Sequence, residues 1–363
     1  MSITAHLGPG PPSRRPAGLA VRQCELTVSV IVPTRDYGRF LGQAIGSLQV
    51  QAYPDWECLV VDDGSTDGTA GIVAALAASD RRISYLRQSA AGPAAARNAG
   101  LAATSGDFVQ FLDADDFLGS GKLQHQLELF ASHPEADIVY GGVRYFIEGR
   151  QGGDEGPVDR HWTGAPTRPV VSGTGLSVMA ALVNDNIMVI EAPLVRRSLL
   201  EKTGGFDPRL RRMEDWELWL RCALAGAHFL PDGANEDDEV THVRIHGSSS
   251  SQDLIAMHEA AVQVRMQIQE DLPAEDLRRM NRRRMYEQLA IVGRLEGLHG
   301  HLLVGVRHLL RAGFAERNVK WLAWAVLMPL VRRPPGSWAL RWVRSALARR
   351  RGEEARDWQT HWP

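Results

Sequence analysis

The chain is poor in cysteine and carries little net charge. Its three cysteines among 363 residues, Cys24, Cys58 and Cys222, are widely spaced. They form neither a metal-ligand pattern nor an even set for disulfides, so a reducing cytosol is the expected setting. No apolar h-region is visible in Met1–Ala20, which is rich in Pro, Gly and Arg, so no signal peptide is expected and disorder is expected over 1–25. The apolar stretch Trp321–Val331 has eleven residues and is interrupted by Pro329. A bilayer-spanning helix needs about 20, so none is expected. Net charge is only −2, but its distribution is uneven: between Arg278 and Arg351 stand 17 Lys and Arg against Glu287, Glu296 and Glu316. That segment is +14 and the remainder −16. A basic tail on an acidic body calls for an anionic partner of the tail. An apolar content of 44% is enough for a real core, and the length suits one large domain with an extension, or two domains.

What is present is a regular alternation of strand-like and helix-like segments. Leu26–Val32 is β-branched and nearly all apolar, the pattern of a strand buried on both faces of a parallel sheet. Pro33–Asp36 ends it, and Phe40, Leu41, Ile45 and Leu48 recur at helical spacing within Tyr37–Gln51. Trp56–Val61 predicts a second buried strand, Asp62–Thr69 a capping loop, Gly71–Ser79 a helix, Ile83–Arg87 a strand, Gly92–Ser105 an Ala-rich helix and Phe108–Leu112 a fourth strand. A helix over Lys122–Ser132 and a strand over Asp137–Tyr145 follow, then a mobile loop over Glu148–Pro169 without periodicity. Leu176–Val189 predicts a helix and a strand, Met213–Arg221 opens a helix, Ala227–Leu230 is a last strand, and Val243–Ser251 is a polar loop at the domain boundary. Such alternation predicts an α/β fold with a mostly parallel, Rossmann-like sheet flanked by helices.

Ligands of these sheets sit at the carboxyl ends of the strands. Three loops there carry ligand-like residues: Pro33–Asp36, Asp62–Asp67 and Asp113–Asp116. Alternation in an extended chain sends Asp113 and Asp115 the same way. Two carboxylates aimed at one point repel unless a cation lies between them or one holds a proton. Hard cations such as Mg²⁺ or Mn²⁺ favour such oxygens and share them with phosphates, so a metal–diphosphate clamp is the functional reading. An acidic turn that caps the next helix is the plain alternative. Farther on, Glu214 and Asp215 open a helix, where the dipole favours anions. Asp215 is there either a functional acid or a mere cap. Trp219 is expected in the core, and Trp216 either in the core or facing a ligand.

The segments Val28–Asp36, Val60–Asp67, Ala96–Gly100, Phe111–Asp116, Gly205–Asp207, Glu214–Trp216 and Arg244–Ser249 together resemble the family 2 inverting glycosyltransferases of the GT-A fold. They occur in that family's order over about Leu26–Ser251. The resemblance implies a catalytic domain over 26–251 that transfers a sugar from a nucleotide-diphospho-sugar to an acceptor hydroxyl, in polysaccharide or glycoconjugate synthesis. It implies that Pro33, Arg35 and Asp63 line the nucleotide pocket, with Asp63 accepting from the base. Asp113 would approach the ribose or the metal shell, Asp115 would bind Mg²⁺ or Mn²⁺, and His246 would contact metal or diphosphate. Arg97 and Asn98 would order the nucleotide side, and Asp215 would be the general base. Asp62 would hold its loop through backbone N–H groups, and Asp116 would cap the turn. Arg35-Asp36 departs from the family's usual Tyr-Asn, which leaves the base open. The acceptor would be a carbohydrate or a lipid-linked sugar. A nucleotidyltransferase would need a Gly-rich, basic phosphate loop after the first strand, and Pro33–Asp36 is not one; a non-catalytic binding protein would lack a base.

Residues 252–363 form a basic helical region, with helices expected over Leu254–Glu270, Leu277–Leu298, His301–Arg311 and Val319–Val331. Trp338–Arg351 is amphipathic, with Trp338, Trp342, Val343 and Leu347 opposite Arg341 and Arg344. Two readings stand: a helix lying on an anionic membrane surface, peripheral at the inner face of the cell membrane, or a subdomain packed on the catalytic domain. No nucleic-acid partner is expected.

Overall fold

The computed structural model describes residues 26–148, 160–163, 170–234, 239–246 and 253–330. The expectations for residues 1–25, for the Trp338–Arg351 helix, and for parts of the Glu148–Pro169 and Val243–Ser251 loops lie outside them.

The strand order follows from burial. β1 (Val28–Thr34) is buried at every position, as its unbroken apolar run requires. It pairs in parallel with β2 (Trp56–Asp62) and, past the helices α1 (Gly38–Gln49), α2 (Thr69–Ser79) and α3 (Pro93–Ala103) and the strand β3 (Ile83–Arg87), with β4 (Phe108–Phe111). α3 is rich in Ala and Gly because it lies directly on β1: a Cβ at Gly100 would meet Ile31 Cγ2 at 2.4 Å. After the short β5 (Phe117–Leu118) and α4 (Lys122–Ser132), the expected strand 137–145 is two strands, β6 (Ile138–Tyr140) and β7 (Val143–Glu148), in different sheets. Gly141 and Gly142 stand at the break, where a Cβ on Gly141 would fall 2.2 Å from Asp232 Oδ2.

The expected loop 148–169 contains a strand, β8 (Arg160–Thr163), paired antiparallel with β7. Next come α5 (Leu176–Asn184), β9 (Pro193–Arg196), α6 (Arg197–Thr203), α7 (Glu214–Leu224), β10 (Phe229–Pro231) and β11 (Thr241–Ile245). No strand follows α5 directly; its place is taken by β9, which runs antiparallel between β4 and β6. The expected polar loop from Val243 begins inside β11, whose Thr-His-Val-Arg-Ile pattern is too polar to signal a strand. The main sheet has the order β10-β6-β9-β4-β1-β2-β3, and the smaller one β5-β11-β7-β8.

The main sheet is therefore mostly parallel with helices packed on it, and its two faces have separate cores. Helices α8 (Leu254–Ile268), α9 (Glu275–Leu298), α10 (Leu302–Ala315) and α11 (Val319–Leu327) make the C-terminal region. Ala261, Val264, Ile268, Leu272 and Leu277 belong to the same core as Val178, Trp216 and Val195 of the sheet side. A second, small core of Leu289, Ala290, Leu309, Ala312, Ala325 and Met328 holds α9 to α11 together. The expected boundary at residue 251 thus falls inside one shared core. No described helix is long and apolar enough to cross a membrane. Cys58 and Cys222 are free and buried, and burial pushes the Cys222 thiol up to about 12.

Candidate functional site

The acidic turn is the junction between the two sheets. β4 leaves the main sheet at Phe111, Asp116 N–H closes a turn on Asp113 O at 3.1 Å, and β5 begins one residue later in the small sheet. Turn geometry ends strict alternation, and Asp113 and Asp115 take different partners. Asp113 faces Arg97, which donates to it at 2.6 Å. Asp115 faces His246, with Oδ2 2.8 Å from Nε2. The His246 ring lies 5.7 Å from Tyr37 and 5.2 Å from Phe40, and β11 delivers it together with Arg244, which donates to Asp115 O at 2.8 Å.

The third carboxylate has a larger part than a cap. Asp116 is buried, accepts the Arg244 backbone N–H at 2.7 Å, and shares a cluster with Asp113 and Glu191 in which one oxygen from each lies within 4.8 Å of the others. Burial first, then the charges of Asp115 and Asp113, push the Asp116 carboxyl well above its ordinary range. Burial and the charges of Asp113 and Asp116 do the same to Glu191. Below them, Lys122 donates to Gln110 and Gln126 at 2.7 and 2.8 Å, and Gln110 donates to Glu191 O. Burial pushes that lysine down to about 7, so it is a weak counter-charge. Asp113, Asp116 and Glu191 are oxygen donors of the kind a hard divalent cation takes, with Arg97 already paired to Asp113.

Arg97 ties this turn to α7. The residue is 3% exposed, and its second bond, 2.6 Å, goes to Glu214 Oε1. Burial opposes the charge, but Asp113 and Glu214 outweigh it and raise the pKa. Glu214 is the first residue of α7 and Asp215 the second, while the N-cap is Met213, in a left-handed conformation with φ +59°. Asp215 is therefore not the cap. It is half-buried, and accepts the Trp216 N–H at 2.7 Å and the Asn186 Nδ2–H at 2.9 Å. Burial and the Glu214 charge push it up to about 6, against the pull of these two donors and of Arg97. Trp216 is core: its indole donates to Leu182 O at 2.8 Å, and the Arg265 guanidinium stands 4.7 Å over the ring. Trp219 is fully buried, as expected.

The nucleotide-side expectations meet a different arrangement. Pro33 is buried in β1, and Arg35 is exposed beside it. Asp63 is 4% exposed, and its oxygens take three hydrogen bonds, from Gln88, Ala91 N–H and Gly92 N–H, at 2.7 to 2.8 Å. It holds the loop that opens α3, and a base would compete with those bonds. Asp62 accepts the Ser65 N–H at 2.7 Å and the Tyr85 hydroxyl at 2.5 Å. Asp36, at φ +56°, accepts the Thr66 N–H at 2.7 Å and so ties the first loop to the second. Asn98 works away from the nucleotide loops: it exchanges two 2.8 Å bonds with the Phe206 backbone and pins the Gly205–Asp207 loop. The structure brings together Arg97, Asp113, Asp115, Asp215 and His246, and adds Asp116, Glu191, Glu214 and Asn186. Glu191 had one signal, a lone charge inside the apolar run Ile187–Val195; Asn186 had none.

Comparison with known proteins bears on the family and the fold. The model of the family described as Glycosyl transferase family 2 matches residues 29–168. An uncharacterized glycosyltransferase of Nostoc sp. (alr2836) is 32% identical over 228 residues, 62% of this chain and 66% of that one. The putative teichuronic acid biosynthesis glycosyltransferase TuaG of Bacillus subtilis is 32% identical over 212 residues, 58% of this chain and 76% of that one. In three of the curated relatives the chain spans 34 to 66% of their length. Among solved structures, the mannosyltransferase PcManGT of Pyrobaculum calidifontis, in complex with GDP-Man and Mn²⁺, has TM-score 0.54 at 20% identity, covering 88% of this chain and 80% of that one. It shares the GT-A fold expected from the motifs. With the acidic turn between two sheets, the carboxylate at the start of α7 and these relatives, the chain belongs to glycosyltransferase family 2.

Proposed function

We propose that this chain transfers a sugar, with inversion, from a nucleotide-diphospho-sugar to an acceptor hydroxyl, with Asp215 as general base. The observation that carries the reading is the chain of contacts Asp113–Arg97–Glu214, which places a half-buried carboxylate of raised pKa next to a polyanionic turn. A base poised near 6 is ionised at neutral pH yet basic enough to take a hydroxyl proton. Arg97 keeps the donor-side and acceptor-side carboxylates at fixed separation, and the two Asp215 hydrogen bonds orient its oxygens. Attack in line with the departing diphosphate on an α-linked donor gives a β-linked product. PcManGT, bound to GDP-Man and Mn²⁺, supports a nucleotide-sugar donor and a cation here.

The residues that would hold the cation are Asp115 and His246, with Asp113 alongside. These side chains are 17, 15 and 35% exposed and face the open side of the turn, whereas Asp116 and Glu191 lie beneath it. When bound, Mg²⁺ or Mn²⁺ there supplies Lewis-acid stabilisation to the leaving diphosphate. Burial and the neighbouring carboxylates raise the Asp116 and Glu191 pKa values, which favours their neutral forms beneath the turn. Pro33 and Arg35 flank the nucleotide, and the acceptor is a carbohydrate or a lipid-linked sugar of polysaccharide synthesis. A panel of nucleotide sugars with Mn²⁺, scored for hydrolysis and transfer, tests this. One donor should turn over, Asp115→Ala should abolish metal-dependent turnover, and Asp215→Asn should lower transfer by roughly 10²–10⁴-fold while donor binding persists. No binding or turnover of any donor would sink the proposal.

A further inference from the structure

The α10–α11 hairpin exposes an apolar surface that no described part of the chain covers. Leu303, Phe314, Val319 and Val326 are 84, 70, 76 and 69% exposed. Leu303, Arg307, Arg311 and Phe314 follow one face of α10, and Val319, Ala323, Val326 and Leu327 one face of α11. The hairpin is rigid rather than frayed. A Cβ on Gly313 would meet Leu322 at 2.7 Å, and one on Gly305 would meet the Gly293 carbonyl of α9 at 2.4 Å, so close packing fixes the three helices and leaves the outer face free. Isolated exposed apolar residues are ordinary, but a concentration of this kind marks a contact surface.

Charge decides what covers it. Between Leu303 and Leu327 stand Arg307, Arg311, Arg317 and Lys320 against Glu316 alone, and the four cations are exposed. The following residues 331–363 carry eight Arg against Glu353, Glu354 and Asp357, so that part of the sequence has the same sign of charge as the hairpin. A second copy packed hairpin to hairpin meets like charge as well. An anionic bilayer surface satisfies both components: apolar side chains enter the headgroup boundary while Arg and Lys meet lipid phosphates. We propose that the α10–α11 face docks the enzyme on anionic membrane lipid, independently of the identity of its donor.

Co-sedimentation of the full chain with vesicles of phosphatidylcholine alone, and with added phosphatidylglycerol, tests it. Binding should require the anionic lipid and weaken with salt. Arg307→Gln with Arg311→Gln should weaken it about 25-fold, since each cation at the surface contributes about a five-fold factor. Phe314→Ser with Val326→Ser should weaken it by at least about ten-fold while the melting temperature holds. Equal binding to both vesicles, or unchanged binding by both variants, overturns the proposal. So does a concentration-dependent dimer in light scattering that the Phe314→Ser, Val326→Ser variant abolishes, because the occupant is then a second copy.

Discussion

Asn186→Leu isolates what holds the proposed base in its working range. Asp215 sits at about 6 because burial and Glu214 push it up while Trp216 N–H, Asn186 Nδ2–H and Arg97 pull it down. Leucine keeps the size of the side chain but deletes one hydrogen bond to a charged acceptor. Such bonds contribute roughly 1.5–3 kcal/mol, and 1.36 kcal/mol is one pKa unit, so the shift lies between about 1 and 2 units. Asp215 is only half-buried, which screens the loss and favours the lower end. The ionised form is the active one, so kcat/KM rises with pH through this ionisation, and the acid limb should move from about 6 to roughly 7. Transfer measured from pH 5 to 9 should show the variant strongly impaired at the acid end and close to the unchanged enzyme at the alkaline end. Glu214→Gln should move the limb the other way, because it deletes the like charge beside Asp215 and releases Arg97. An unshifted limb in both variants, or loss that is uniform across pH, would refute Asp215 as the titrating base.

Arg97→Met should destabilise the fold by about 3 kcal/mol, since it leaves Asp113 and Glu214 facing one another unpaired; the urea midpoint measures this. Gly205→Ala should cost roughly 1–3 kcal/mol, because its Cβ would fall 2.2 Å from Asn98 Oδ1 and displace the two bonds to Phe206; a thermal melt reads it. Glu191 is raised well above its unfolded value of 4.5, so its contribution to stability is full below that pH and is lost as pH climbs through the folded value. Metal-free protein should therefore melt lower as pH rises above 4.5, and Glu191→Gln should flatten that fall.

The alternating core was legible because buried parallel strands are long apolar runs and their helices have a clear period: β1, β2, β4, α1 and α4 all stand close to their expected bounds. Asp113 stood out because a polar residue ended such a run, and Asp215 because it opens a helix with Glu214. Illegible were strands whose signal is not their own. β9 is four residues long and contains Pro and Arg, and β11 alternates polar residues that become buried only through β5 and β7. Partners contributed from far along the chain were equally hidden: Asn98 signals nothing about Phe206, nor Asn186 about Asp215. The period of the chain gives faces, whereas a side-chain contact across about 100 residues depends on how those faces assemble.

The C-terminal helices illustrate the point most sharply, because they support the proposed base. Arg265 of α8 is 1% exposed and donates at 2.6 Å to Val183 O, in the last turn of α5, while its guanidinium stacks on Trp216, next to Asp215. The chain leaves α5 two residues before Asn186, the donor to Asp215. A residue 50 positions beyond Asp215 thus fixes both elements that orient the carboxylate. A chain ending at residue 251 would lose Val264, Ile268, Leu272 and Leu277 from the core. At about 2 kcal/mol each that is ~8 kcal/mol, comparable to the ~5–15 kcal/mol by which a domain is stable. Such a chain should lack a cooperative melt. Arg265→Met in the full chain should melt cooperatively and bind donor, yet show a lowered kcat with donor KM held, which Arg265→Lys partly restores. A well-folded, fully active chain ending at 251 would show that α8 and α9 are an appendage and that the base is held by α5 and α7 alone.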